Sequence, residues 1–435
     1  GLMELSGWGR YPRVQADVGF PQSLPDFYEA LKREHPLIAR GLGRSYGDSS
    51  LADHVLETRF YSRLQTFDET SGLLTCDAGM SLAEILKVFV PKGSFLPVTL
   101  GTLFVTVSGA IASDVHGKNH HVDGTFGQHV TEIRMVLGNG EEIVASPIEN
   151  ADLFYATCGG MGLTGIITSA TIRLKPIMSS QISETTVKAP DLEAVLNAFE
   201  ENQGATYSVA WIDCLAKGKS LGRSLLMSGE HAESGGLVVP EAKTLSIPFD
   251  MPTPLLNHGT IQAFNTIYYN RIRQQKSIRT IGYEPFFYPL DKIAHWNRLY
   301  GKPGFTQYQF VLPKDAGVSG MSKIIERIAA SGRGSFLAVL KAFGNANQNL
   351  LSFPMEGYTL ALDFKADPAV FELLNELDKL VLNFGGRLYL TKDARMSEVT
   401  FKSSYPNWQQ FEEVRGRYHA LGKFSSRQSQ RLGLQ

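Results

Sequence analysis

Three glycine-dense runs in the first part of the chain restrict its fold more than any other feature. The first, "ARGLGRSYGDSS", spans Ala39 to Ser50 and holds three glycines, one aromatic and two arginines. A nicotinamide-type dinucleotide turn needs glycine at its first, third and sixth positions and a helix directly after it. Gly41 and Gly43 fit the first two positions, but Tyr46 fills the sixth and Gly47 the seventh. The following "DSSLADHVLET" does not start an amphipathic helix, so that turn is excluded. Glycine still permits positive φ and lets backbone N–H groups approach an anion closely. Read alone, the run is either a phosphate cradle or an ordinary turn.

The second run, Thr99 to Val130, reads "TLGTLFVTVSGAIASDVHGKNHHVDGTFGQHV". His116, His120 and His121 give an HxxxHH spacing, which suits zinc only where a helix presents two of the rings on one face. Gly117 and Asn119 make that helix poor, and no Cys or Glu ligand accompanies it, so no metal is expected. The better reading is a glycine-lined backbone lying against a large planar ligand, with His116 and Lys118 at its reactive edge. The third run, "LFYATCGGMGLTGIITSATIRL", Leu153 to Leu174, is equally well a packed strand pair or a ligand wall.

A length of 435 residues implies two or three domains. The net charge of −1 argues against a nucleic-acid partner, whose phosphates call for a clear excess of Lys and Arg. Cys76, Cys158 and Cys214 are too few and too scattered for a disulfide framework or a CxxC site. The start, "GLMELSGWGRYPRV", lacks a basic stretch followed by an apolar run, so no signal peptide is expected. A place in the cytoplasm, or peripherally on the inner membrane, follows as the expectation.

From Pro36 to Pro176 short β-rich runs alternate with glycine turns, and "GNG" at Gly138 to Gly140 signals a hairpin. "MSLAEILKVFVPKG" has helical apolar spacing. The middle third reads helix "DLEAVLNAFEEN", strand "YSVAWIDCL", strand "FTQYQFVLP", helix "GMSKIIERIAASG", strand "YTLALDF" and helix "AVFELLNELDKLVLNFGG". That order implies a sheet with helices on one face. "RLYLTKDARMSEVTFKSSYP" reads as a strand. The stretch from Gly229 to Gly259 is punctuated by Gly, Pro and Ser and reads as a mobile segment covering a lipid site, or as core of the second domain.

Taken together, the three glycine runs resemble the vanillyl-alcohol-oxidase type of FAD flavoprotein over nearly the whole chain. The resemblance implies an α+β fold of PCMH type: an FAD-binding domain over 1–178, a substrate domain of antiparallel sheet and helices over 179–386, and a C-terminal segment, 387–435, returning to the first domain. It places the FAD pyrophosphate on "RGLGRSYGD" and flavin and diphosphate on "VTVSGAIASDVHGKNHH". The implied FAD-binding residues are Arg40, Gly41, Leu42, Gly43, Arg44, Ser45, Tyr46, Gly47, Gly101, Thr106, Val107, Ser108, Gly109, Ser113, His116, Gly117, Ile166 and Tyr389. Ser108 stands where a second glycine is usual, which is tolerable at negative φ. Covalent members often carry a histidine where Arg44 stands, so FAD is expected to be non-covalent here.

"HGKNHH", "FTQYQFVLP", "LSFP", "FGGRLYLTKD" and "RLGL" look most like the branch that oxidises a polyprenyl-phosphoryl ribose at its 2-hydroxyl, the flavoprotein half of a lipid-linked ribose epimerisation. The resemblance implies an NAD(P)H-dependent keto-reductase partner and a membrane surface through the lipid. Aldonolactone and sugar-alcohol oxidases share the fold, and a non-catalytic lipid-phosphosugar or flavin-binding module is the alternative of another class. Thr359, Leu360 and Ala361 replace the Asn-Ile-Cys of mycobacterial members.

Gln307 and Gln309 alternate on one strand face and need polar partners if buried. Sugar hydroxyls can supply them, as can backbone. Lys118, Lys341 and Lys392 join these glutamines as substrate-side candidates, each weighed against a solvated or snorkelling lysine. A sugar C–H gives up hydride only as its O–H loses a proton, so a base is required. Lys392, Tyr46 and His116 are the catalytic candidates, with no ranking among them.

Overall fold

The computed structural model describes all residues except 240–244, 247–249, 251–256, 289–292, 295 and 336. Its N-terminal part holds two larger sheets beside the short antiparallel pair Ser94–Phe95 and Lys175–Pro176. A mixed four-stranded sheet runs in the order Leu2–Ser6, Arg13–Gly19, His54–Glu57 and Ile38–Arg40. An antiparallel five-stranded sheet follows the order Leu64–Asp68, Leu73–Asp77, Ile166–Arg173, Val130–Val136 and Glu142–Ala145. The expected hairpin at Gly138 to Gly140 joins the last two, with Gly140 at φ +87°. The first glycine run leaves the strand Ile38–Arg40 and forms no helix, as its sequence predicts.

The second part is one antiparallel sheet of eight strands. From one edge to the other these are Lys276–Gly282, Gln181–Ala189, Ser224–His231, Tyr207–Ile212, Val339–Phe343, Gly357–Lys365, Phe305–Pro313 and Arg387–Leu388. The helices Leu192–Glu201, Gly317–Ser331 and Pro368–Asn383 bury Val195, Phe199, Ile324, Ile328, Leu373 and Leu377 in one cluster with the sheet residues Phe310, Leu340, Leu360 and Leu362. Asp191 and Asp367 cap two of these helices by accepting from the amides of Ala194 and Val370, and Gly332 and Gly385 follow two of them at positive φ.

The sequence reading needs correction in two places. The stretch around Lys392 is not a strand. The strand stops at Leu388 and Leu390–Lys392 is a 3-10 turn. The Asp393 carboxylate accepts from the amides of Arg395 and Met396, which bends the backbone away from sheet pairing. The stretch Gly229–Gly259, read as a mobile cover or as core of the second domain, is also not one structureless run among the described residues. Gly229 lies inside Ser224–His231, and a helix begins at His258. Leu237 and Val239 pack against a core cluster while Val238 is exposed. Ile247, Phe249, Leu255 and Leu256, apolar residues of the same stretch, lie outside the described residues.

The last residues pack onto the first part of the chain. Leu37 bridges Phe424, the amide of Arg427 donates to the Leu51 carbonyl, and Arg431 joins the buried Asp48 and Asp393 at 2.7 and 2.9 Å. Fully buried Arg415 donates to the carbonyls of Leu163 and Phe424. These bonds fix Asp393, and with it the turn that carries Lys392.

Candidate active site

The loop Gly41–Gly47 has glycine where no side chain fits. A Cβ on Gly41 would lie 2.4 Å from Thr106 Oγ1, and one on Gly47 1.7 Å from the Asp393 carbonyl. Gly43 has φ +66° and packs against the Arg40 guanidinium, which donates to the Ser6 carbonyl. Arg40 therefore braces the loop from beneath. Among the described residues, the amides of Gly41, Leu42, Gly43 and Ser45 donate to no other residue. A run of free N–H groups on a glycine backbone fits a diphosphate. Arg44 stacks on Trp8 at 3.6 Å, and the Tyr46 amide donates to the Thr391 carbonyl, joining the loop to the turn of Lys392.

Thr106 caps the short helix Val107–Ala112 by accepting from the Gly109 amide. Ser108 sits in this helix without positive φ, so its departure from glycine is harmless. The amides of Val107 and Ser108 donate to the carbonyls of Met80 and Ala78, so contact with an anion from this helix falls to other groups. Gly117 packs against the Thr99 backbone, where a Cβ would come within 2.1 Å of the carbonyl oxygen. The Thr99 hydroxyl is buried without a partner among the described residues. Gly101 is exposed with open space around it, and the Ile166 side chain is spent on the core beside Phe27 and Phe424. Tyr389 closes the back wall, its hydroxyl 3.5 Å from the Ser113 carbonyl.

His116 is buried among Phe343, Phe353 and Tyr389. Its tautomer follows from a chain of bonds. The Thr359 hydroxyl donates to the Phe310 carbonyl at 2.8 Å, so toward Gln309 it can only accept. This orients the Gln309 amide with Nε2 toward both Thr359 and His116 Nε2, each at 3.1 Å. His116 Nε2 thus accepts and Nδ1 carries the proton, buried and without a partner among the described residues. Burial, together with the charge of Lys341, holds the ring well below its usual range and neutral. His116 is placed to donate a hydrogen bond and poorly placed to take a proton. The other rings of HxxxHH are spent elsewhere: His120 Nδ1 accepts from the Gly344 amide and His121 Nε2 meets the Ala205 carbonyl. Among the described residues no three His, Cys, Asp or Glu side chains are grouped to hold a metal.

Three lysines converge on the same recess. Burial, with repulsion from Lys341, pushes Lys118 down to about 7; its ammonium donates to the Phe286 carbonyl. Burial alone takes Lys341 to about 8. Lys392 falls to about 7 through burial, with Lys341 and Arg44 adding repulsion and Asp363 opposing it. Its ammonium lies 4.0 Å from the Tyr46 ring centre.

Asp363 and Tyr300 escaped the sequence reading. Asp363 sits opposite Gln307 in the strand pair and accepts from Gln307 Nε2 at 2.6 Å and from the Tyr300 hydroxyl at 2.9 Å. Burial raises it to about 6. A carboxylate within the apolar strand "YTLALDF", in register with a polar strand, was its only signal; Tyr300 had none. Gln307 and Gln309 share a strand face as predicted, but the structure gives them Asp363, Thr359 and His116 as partners.

The sequence matches the FAD binding domain family over residues 26–146. It is 36% identical to decaprenylphosphoryl-beta-D-ribose oxidase of Mycolicibacterium smegmatis, over 99% of this chain and 97% of that protein. It is 19% identical to L-gulono-1,4-lactone dehydrogenase of Mycobacterium tuberculosis, over 89% of this chain and 88% of that protein. A putative D-arabinono-1,4-lactone oxidase of Neurospora crassa is 32% identical over 32% of this chain and 25% of its own length.

Proposed function

Since the chain belongs to the decaprenylphosphoryl-β-D-ribose oxidase family and is an FAD-dependent oxidoreductase, we propose that it oxidises the 2-hydroxyl of a polyprenyl-phosphoryl-β-D-ribose to the ketone. The observation that carries this reading is the convergence of Lys118, Lys341 and Lys392 on one recess, where the carboxylates acting on them are Asp363, near Lys392, and Glu184, near Lys118 and already paired with Arg279. Such an excess of enclosed positive charge calls for an anion, and a phosphate monoanion on the substrate supplies it. An uncharged aldonolactone does not, which weighs against the lactone-oxidase alternative despite the related enzymes.

The free amides of Gly41, Leu42, Gly43 and Ser45 would hold the FAD diphosphate, and the Gly117 backbone with Thr99 and Tyr389 would line its flavin end. Bound FAD supplies the hydride acceptor. FAD is held without a covalent bond: Arg44 stands where covalent relatives carry histidine, and His116 Nε2 is engaged by Gln309.

Lys392 Nζ takes the hydroxyl proton. Among the three candidates it is the one that environment has moved to the working range of a base. His116 has its accepting nitrogen engaged and instead donates from Nδ1 toward the sugar. Tyr46 presents its ring face to the Lys392 ammonium and steers it. Lys118 and Lys341 bind the phosphate. A separate NAD(P)H-dependent reductase consumes the keto sugar, and the enzyme works peripherally at the cytoplasmic face of the membrane that carries its lipid. Among the described residues no helix is long and apolar enough to cross a membrane.

Anaerobic mixing with a short-chain polyprenyl-phosphoryl ribose tests the reading: the flavin bleaches, and L-gulono- and arabinono-lactones leave it yellow. Bleaching by lactones alone would overturn it.

A further inference from the structure

The helix His258–Asn270 and the strand Lys276–Gly282 lie at one edge of the eight-stranded sheet. The helix turns Ile261, Asn265 and Tyr269 inward, at i, i+4 and i+8, with Asn265 Nδ2 donating to Asp213 at 3.0 Å. Its outer face carries Phe264, Ile267 and Arg271, at i, i+3 and i+7. Phe264 is 44% exposed and Ile267 71%, and Ile278 on the neighbouring strand is 68% exposed. Phe264 stacks on Tyr268, and the Arg271 guanidinium covers the Tyr268 ring at 4.1 Å. The Phe264 and Tyr268 rings are therefore held in place.

The charge on this face is one-sided. Residues 257–283 contain Arg271, Arg273, Lys276 and Arg279 and no Asp or Glu, in a chain whose net charge is −1. Arg279 is paired with Glu184, whereas Arg271, Arg273 and Lys276 are exposed and meet no carboxylate among the described residues. The same helix borders a cavity next to the candidate site. His258 and Ile261 line this cavity of about 450 Å³, whose walls include Tyr300 and Asp363, and Asp363 is the carboxylate whose charge acts on Lys392.

We infer that this face docks on an anionic lipid bilayer, with Phe264, Ile267 and Ile278 entering the headgroup boundary and Arg271, Arg273 and Lys276 meeting lipid phosphates. Exposed aromatic and aliphatic side chains flanked by unpaired basic ones are the arrangement an interfacial helix needs. Docking in this orientation brings the cavity and its Asp363 wall close to the membrane that carries a lipid-linked sugar. The inference rests on the lipid-substrate reading for its purpose, although bilayer binding itself does not require turnover.

The test is co-sedimentation of the flavin-loaded protein, followed by flavin absorbance. Vesicles of phosphatidylcholine alone are compared with vesicles that also contain phosphatidylglycerol. The protein should pellet with the phosphatidylglycerol vesicles at low salt, be released by high salt, and stay in solution with phosphatidylcholine. The pairs F264S/I267S and R271E/R273E should each weaken partition at least tenfold, from the loss of buried apolar groups and of basic contacts respectively. Both should retain flavin and bleach normally with the short-chain substrate. Equal partition of wild type and variants overturns the inference, as does failure of the wild type to pellet. So does a dimer in solution that either pair dissociates, because a second copy would then cover this face. A wild type that bleaches but does not pellet loses the docking surface alone; one that pellets but does not bleach loses the oxidase reading alone.

Discussion

Replacing Asp363 by asparagine should move the pH dependence of flavin reduction in the direction opposite to a simple loss of function. The substitution keeps the size of the side chain and one acceptor oxygen, with its Nδ2 turned to the Tyr300 hydroxyl, which can accept, while it removes the negative charge that supports a proton on Lys392. Two unit charges 4 Å apart at an effective dielectric constant of about 20 interact by about 4 kcal/mol. Taking half of that for groups that interact without forming an ion pair gives about 2 kcal/mol, or about 1.5 pH units. The base limb should therefore move down by that amount from about 7. An amine that titrates near 7 is about one tenth neutral at pH 6, and the shift raises this to roughly three quarters. The reduction rate at pH 6, relative to its own plateau, then rises several-fold, while the plateau itself falls because a weaker base accepts the proton less readily. Asp363 is itself raised to about 6, so the wild type carries two coupled inflections and the variant one. Stopped-flow reduction of the flavin between pH 5 and 9 measures all of this. An inflection that stays in place or moves upward would refute the assignment of Lys392 as base.

Three further outcomes follow from the same geometry. Lys392→Ala should lower the reduction rate by about two to four orders of magnitude while leaving flavin bound, read from bleaching and from the flavin-to-protein absorbance ratio. Gly47→Ala should yield protein lacking flavin, because its Cβ would sit 1.7 Å from the Asp393 carbonyl, whereas Gly101→Ala, with nothing within 4 Å, should hold flavin normally; equal flavin content in the two would contradict the cradle. Acid precipitation should release all the flavin into the supernatant, and colour kept in the pellet would show a covalent link.

What the sequence disclosed depended on how local its physical cause was. Glycine in the Ala39–Ser50 run forbids side chains whatever the partner, so the tight loop was legible before Thr106, Arg40 and Asp393 were known to fill the space around it. The same-face pairing of Gln307 and Gln309 followed from strand period alone. The turn at Lys392 did not, because its cause is the Asp393 carboxylate capturing two amides and being held in turn by Arg431, from the far end of the chain. The helix His258–Asn270 was hidden for a related reason. Its inner face uses Asn265 and Tyr269 and its outer face keeps Phe264 and Ile267, which blurs the apolar period. Asp363 became a candidate only when strand pairing set it beside Gln307 and Tyr300. The orientation of His116 likewise required Thr359 and Gln309 to be seen together.

The central claim is that hydride leaves C2 of a phosphoribosyl lipid as Lys392 takes the proton from its hydroxyl. A short-chain polyprenyl-phosphoryl ribose deuterated at C2, mixed anaerobically with the oxidised protein, tests it most directly. The flavin should bleach severalfold more slowly than with the unlabelled compound, and reduction of the unlabelled compound's product with borodeuteride should place deuterium at C2. Bleaching at the same rate for both compounds, with label appearing at another carbon, would contradict it.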